Sequence, residues 1–66
     1  MIATHRVVDT EGNLVGYCSG GKMYSVDEIH KHINKFDNLR IITDPYTGEK
    51  HIGELNVRLT KIVDPH

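Results

Sequence analysis

The chain has 66 residues, one cysteine and a formal net charge of -1, from eight Lys and Arg against nine Asp and Glu. These figures exclude an intramolecular disulfide and a thiol-built zinc staple, and they give no electrostatic reason to bind a nucleic-acid backbone. A chain this short makes one domain, residues 1–66, whose single core only just offsets chain entropy, so the composition predicts help from self-association.

Division of the chain uncovers no hidden basic segment: residues 1–25 and 26–36 each balance at zero, and 37–66 carry the -1. The start, Met-Ile-Ala-Thr-His-Arg, lacks the apolar core of a signal peptide, and no apolar run approaches transmembrane length. The expectation is a soluble cytoplasmic protein with no membrane contact.

Residues 2–9 are rich in β-branched side chains and predict a strand that ends at Asp9-Thr10-Glu11-Gly12-Asn13. Leu14-Val15-Gly16-Tyr17-Cys18 reads as the returning strand of a hairpin. Gly16 inside it marks a bulge or the close approach of another backbone. Ser19-Gly20-Gly21 is a second turn, and Lys22-Met23-Tyr24 a short strand leading onward.

Met23-Tyr24-Ser25-Val26-Asp27-Glu28-Ile29 is the most clearly written stretch, because it carries several helix-start signals together. Ser25 is placed to cap the N–H of Glu28 while the Glu28 carboxylate reaches back to Ser25, the capping box, and Tyr24 with Ile29 forms a hydrophobic staple. Asp27 and Glu28 put negative charge at the positive end of the helix dipole. Val26, Ile29, Ile33 and Phe36 then recur at helical spacing and predict a helix running to Lys35–Asn38, with Asn38 in a left-handed cap.

Leu39-Arg40-Ile41-Ile42-Thr43 reads as a strand, Asp44-Pro45-Tyr46-Thr47-Gly48 as a turn, and Lys50-His51-Ile52 as the strand that returns, bent at Gly53. Residues 54–63 predict one long final strand with Leu55, Val57 and Leu59 on one face and Asn56, Arg58 and Thr60 on the other. Ile62 breaks the alternation and suggests a bulge, a frayed end, or burial on both faces at an interface. Asp64-Pro65-His66 is a tail. The fold class this predicts is α+β: a small antiparallel sheet, two hairpins plus the long strand, packed against one α-helix.

At Gly20-Gly21-Lys22-Met23-Tyr24-Ser25-Val26-Asp27-Glu28-Ile29, with a hairpin on either side, the chain resembles a family of small uncharacterised bacterial and phage domains. The resemblance covers roughly residues 2–54. It implies a small non-enzymatic accessory protein and supplies no catalytic residue. The long last strand and the Asp44–Gly48 turn depart from its pattern.

Five histidines invite a metal reading, yet His30 and His32, two apart on a helix, point about 200° from each other. A site built from His5, His51 and one helix histidine is the remaining route to a metal, and the expectation is no metal and no cofactor. Ser19, Ser25 and Cys18 sit in no nucleophile motif, and Gly20-Gly21-Lys22 lacks the rest of a phosphate loop. No catalytic residue is assigned. The candidate ligand-binding residues are Arg6, Arg40, Asn56, Arg58 and Thr60, strand positions expected on the sheet face away from the helix or in a cleft between subunits, where arginine grips phosphate or carboxylate in a fork.

The functional expectation is a non-catalytic binding protein that acts as a homo-oligomer through residues 54–63, with another protein as its partner. The competing expectation is a sequestering protein for an anionic small ligand or nucleotide held by the strand arginines.

Overall fold

The helix begins where its signals place it. In a computed structural model that describes residues 1–55 and 58–64, the Ser25 hydroxyl accepts from the Glu28 N–H at 3.2 Å. The Glu28 carboxylate accepts from the Ser25 N–H at 3.4 Å. Helix α1 spans Val26–Lys31, shorter than the apolar spacing predicts. His32 closes it, and Ile33–Lys35 continues as a single 3-10 turn with Phe36 as its cap. His32, Ile33 and Asn34 are poor helix formers, and the tighter turn satisfies end carbonyls that an α-helix would leave open. Ile29 and Phe36, two of the four stripe residues, are buried. Asn38 lies beyond the helix end.

The described residues form six strands, β1 His5–Val8, β2 Leu14–Ser19, β3 Lys22–Ser25, β4 Leu39–Thr43, β5 Lys50–Glu54 and β6 Thr60–Val63, of which β2 and β3 pack against this helix. β3, β2, β1 and β6 form one sheet in that order, and β4 with β5 forms a separate two-stranded ribbon. β1 pairs antiparallel with β2 but parallel with β6. The single antiparallel sheet expected from the sequence is therefore a mixed sheet plus a ribbon, within the α+β class.

Local turns behave as their residues dictate. Gly20 and Gly21 both have positive φ, 60° and 80°, the geometry of a two-residue hairpin turn closed by the Ser19–Lys22 pair. Asp9 accepts the N–H groups of Glu11 and Asn13 at 2.9 Å each. Asp44 accepts that of Tyr46 at 2.8 Å. Gly16 meets the close approach expected of it: a Cβ there would collide with the Tyr24 carbonyl oxygen and lie 3.0 Å from its carbon.

The long final strand is where sequence and structure part. β5 continues through Gly53 to Glu54, and among the described residues strand pairing resumes at Thr60. The Leu55 N–H is taken by the Asn38 carbonyl at 2.8 Å. Leu59 packs against the core. Asn56 and Val57, assigned to opposite faces of that strand, and the tail residues Pro65 and His66 lie outside the described residues.

The core is Ala3, Tyr17, Ile29, Phe36 and Leu39, with Leu14, Tyr24, Ile33, Ile52 and Leu59 packed around it. Asn38, like Ser19, is a buried polar residue. Its side-chain oxygen accepts the Ala3 N–H and its amide donates to the Ala3 carbonyl, both at 2.9 Å. One buried side chain thus stands in for a strand partner along the segment that enters β1, leaving neither amide group unmet.

Candidate functional site

Strand register decides which side chains share a face. Arg6 lies opposite Tyr17 and Lys61, and Tyr17 opposite Tyr24. Tyr17 is in the core with Ile29 of α1, so this row faces the helix. The neighbouring row, His5, Cys18, Met23 and Thr60, faces the other way because strand side chains alternate.

Arg6 is therefore on the helix side of the sheet, not on the outer face expected of it. Glu54, at the end of β5, reaches down onto this row. It accepts a hydrogen bond from the Tyr17 hydroxyl at 2.9 Å, and the Arg6 Nε lies 3.3 Å from the same carboxylate oxygen. That contact is ionic in distance but off the line of a hydrogen bond, and Nε is buried without a hydrogen-bond partner. Burial, then the hydrogen bond and charge of Glu54, push the Tyr17 hydroxyl well above its ordinary pKa. The triad pins the ribbon to the mixed sheet.

The remaining candidate residues stand apart from it. Arg40 is exposed on β4 opposite Gly53. Arg58 is exposed between β5 and β6, and Thr60 opens β6 on the outer face opposite His5. Asn56 lies outside the described residues. The structure does not gather Arg6, Arg40, Arg58 and Thr60 on one face.

Of the side chains weighed as nucleophiles, both serines are engaged in the fold. Ser19 is buried and donates to the Ile2 carbonyl at 2.8 Å. Ser25 is the helix cap. Cys18 is half-buried on the outer face, beside His5 in the strand register. His30, in α1, and His32, just past its end, line two different hollows, and His30 shares its hollow with His51. Among the described residues no group of three or more His, Cys, Asp or Glu is placed to hold a metal ion. No helix among them is long and apolar enough to cross a membrane.

The edge strands of the mixed sheet are β3 and β6. β6 pairs with β1 alone, and Ile62 and Val63 on it are 40% and 52% exposed. The apolar surplus at Ile62 and Val63 pointed in the sequence to an edge, but the parallel partner β1, more than fifty residues away in the chain, did not show there.

No protein-family model matches this chain, and comparison with curated proteins and with solved structures returns no match.

Proposed function

We propose that this chain is a small non-catalytic binding protein of a bacterial or phage setting that works as a homo-oligomer and has another protein as its partner, its self-contact made along β6 in the segment 54–63. The observation that carries the reading is the β6 edge: a strand paired on one side, with two apolar side chains left to solvent in a domain too small to leave them there without cost.

A two-fold axis perpendicular to the sheet and passing through Ile62 would pair β6 with its copy. Ile62 would then meet Ile62 of the second copy, and Lys61 would lie opposite Val63, so no like charges face each other across the seam. The two four-stranded sheets would become one. Leu59 has a different task, since it packs on the core of its own chain. Ile62 is thus the residue to change.

Gel filtration with light scattering should give a mass of two chains or more, and Ile62→Lys should lower it to one while leaving the far-UV circular dichroism intact. A well-folded monomer at micromolar concentration would remove the oligomer reading. The arginine-clamp alternative draws less support from the fold, because Arg6 places its charge beside Glu54 and Arg40 lies on the separate ribbon.

A further inference from the structure

The hairpin turn at Gly20-Gly21 sends β3 back along the sheet edge with Lys22 and Tyr24 two residues apart, hence on one face. The Lys22 ammonium lies 5.1 Å from the centre of the Tyr24 ring. Phe36 packs against that ring in a T-shaped pair, centroids 5.5 Å apart and planes at 84°. The 3-10 turn that shortens α1 then brings His32 and Lys35 back over the same place. Lys22, Tyr24, His32 and Lys35, with Met1 and Glu28, line an open hollow of about 550 Å³, inside the size range of small-molecule sites.

Charge in the hollow runs against that of the whole chain. Among the described residues no carboxylate pairs with Lys22, His32 or Lys35. Glu28 is the one carboxylate in the lining, and it is engaged with Ser25 across the helix cap. The Met1 ammonium is matched by Asp37 at 3.3 Å. Two unpaired ammonium groups and an imidazole, drawn from three elements, therefore surround an aromatic floor whose orientation Phe36 fixes.

We propose that this hollow binds a small phosphomonoester carried on a flat ring. Three nitrogen donors, two of them fixed cations, suit the three terminal oxygens and double charge of a phosphate monoester better than the two oxygens of a carboxylate. The ring of the ligand lies against Tyr24 and the Met1 side chain, and its phosphate draws the Lys22 ammonium off the tyrosine face. The site uses none of the strand arginines and does not depend on the β6 contact.

Three probes test it by ¹H–¹⁵N titration: AMP, which has both parts, inorganic phosphate, which has the anion, and adenosine, which has the ring. AMP should shift the amides of Lys22, Tyr24, His32 and Lys35 saturably, and each half-probe should bind at least about tenfold more weakly, about 1.4 kcal/mol. Lys22→Gln with Lys35→Gln, both exposed positions, should weaken AMP by a similar factor with an unchanged urea midpoint. Overturning results are the absence of saturable AMP shifts, shifts centred on Arg40 or Arg58 instead, equal binding of inorganic phosphate or adenosine, or full AMP affinity in the double variant. The comparison of probes uses the unaltered protein, so it decides the matter even if the double variant does not fold.

Discussion

Removal of one oxygen, in Tyr17→Phe, tests how the two halves of the fold are joined. The hydroxyl donates to the Glu54 carboxylate at 2.9 Å from a ring that is 1% exposed. A hydrogen bond to a charged acceptor contributes about 1.5–3 kcal/mol. Glu54 keeps the Arg6 charge beside it, and its side chain is 23% exposed, so water can reach it after the loss. The low end applies, about 1.5 kcal/mol, which in a domain of this size lowers the melting temperature by about 6–12 °C. Urea unfolding followed by circular dichroism would read it, with an unchanged m-value. Tyr24→Phe is the control, because that hydroxyl reaches only the Met1 sulfur at 3.7 Å. The raised pKa of Tyr17 adds a second readout. Below its ordinary value of 10.0 the group is neutral in both states. Above it the unfolded chain gives up the proton first, so stability falls as pH rises, by up to about 1.4 kcal/mol per unit from this group, and Tyr17→Phe lacks that part of the slope. A loss of under a few tenths of a kcal/mol, or an alkaline slope identical in the two proteins, would refute the joint.

Gly16→Ala should cost about 3 kcal/mol, since its Cβ collides with the backbone of β3 at Tyr24 and no side-chain rotation relieves it; a midpoint within error of the parent would mean the strands part easily there. Ser25→Ala should cost about 1 kcal/mol through the lost cap, read in the same urea experiment, and Ser25→Asp should recover most of it. Asp9 and Asp44 have lowered pKa values, first because backbone N–H groups of Asn13 and of Tyr46 hold their charged forms. Their contribution is present above the ordinary value of 3.8 and is lost as pH falls through the lower folded values, so Asp9→Asn should flatten the acid limb of the stability curve and leave the limb above pH 7 unchanged.

Features that depend on neighbours in the chain were legible in the sequence. The capping box, the two-glycine turn and the Asp44 turn each involve residues within a few positions of one another, and each formed as its side chains dictate. Gly16 was legible too, because a glycine weakens a strand interior and is kept there where a bulge or a close backbone leaves no room for a side chain. Asn38 was not. A turn asparagine and a buried amide clamp look alike until the Ala3 backbone, 35 residues away, is in place. The final strand failed for a related reason: alternation over 54–63 fits a single strand, but the Asn38 carbonyl takes the Leu55 N–H, and the free edge of β1 offers pairing only from Thr60 onward.

The same contrast explains why residue type alone picked a different charge cluster from the one the fold assembles. Arginines in predicted strands looked like a shared grip because period-two alternation puts strand residues on common faces. A common face needs a common sheet, and Arg40 belongs to the ribbon while Arg6 belongs to the mixed sheet and faces Glu54. Lys22, His32 and Lys35 had no such pattern to advertise them. They meet because the hairpin turn at Gly20-Gly21 returns β3 beside the helix, and because the helix gives way to a 3-10 turn after Lys31. Had the α-helix run on to Phe36, His32 and Lys35 would have kept α-helical phase and rise, and their positions over Tyr24 would differ. The shortened helix is therefore the structural condition of the hollow. A variant that extends α1, such as Asn34→Ala, should leave the Ser25 cap in place while weakening AMP binding, and AMP binding unchanged alongside increased helicity by circular dichroism would break that link.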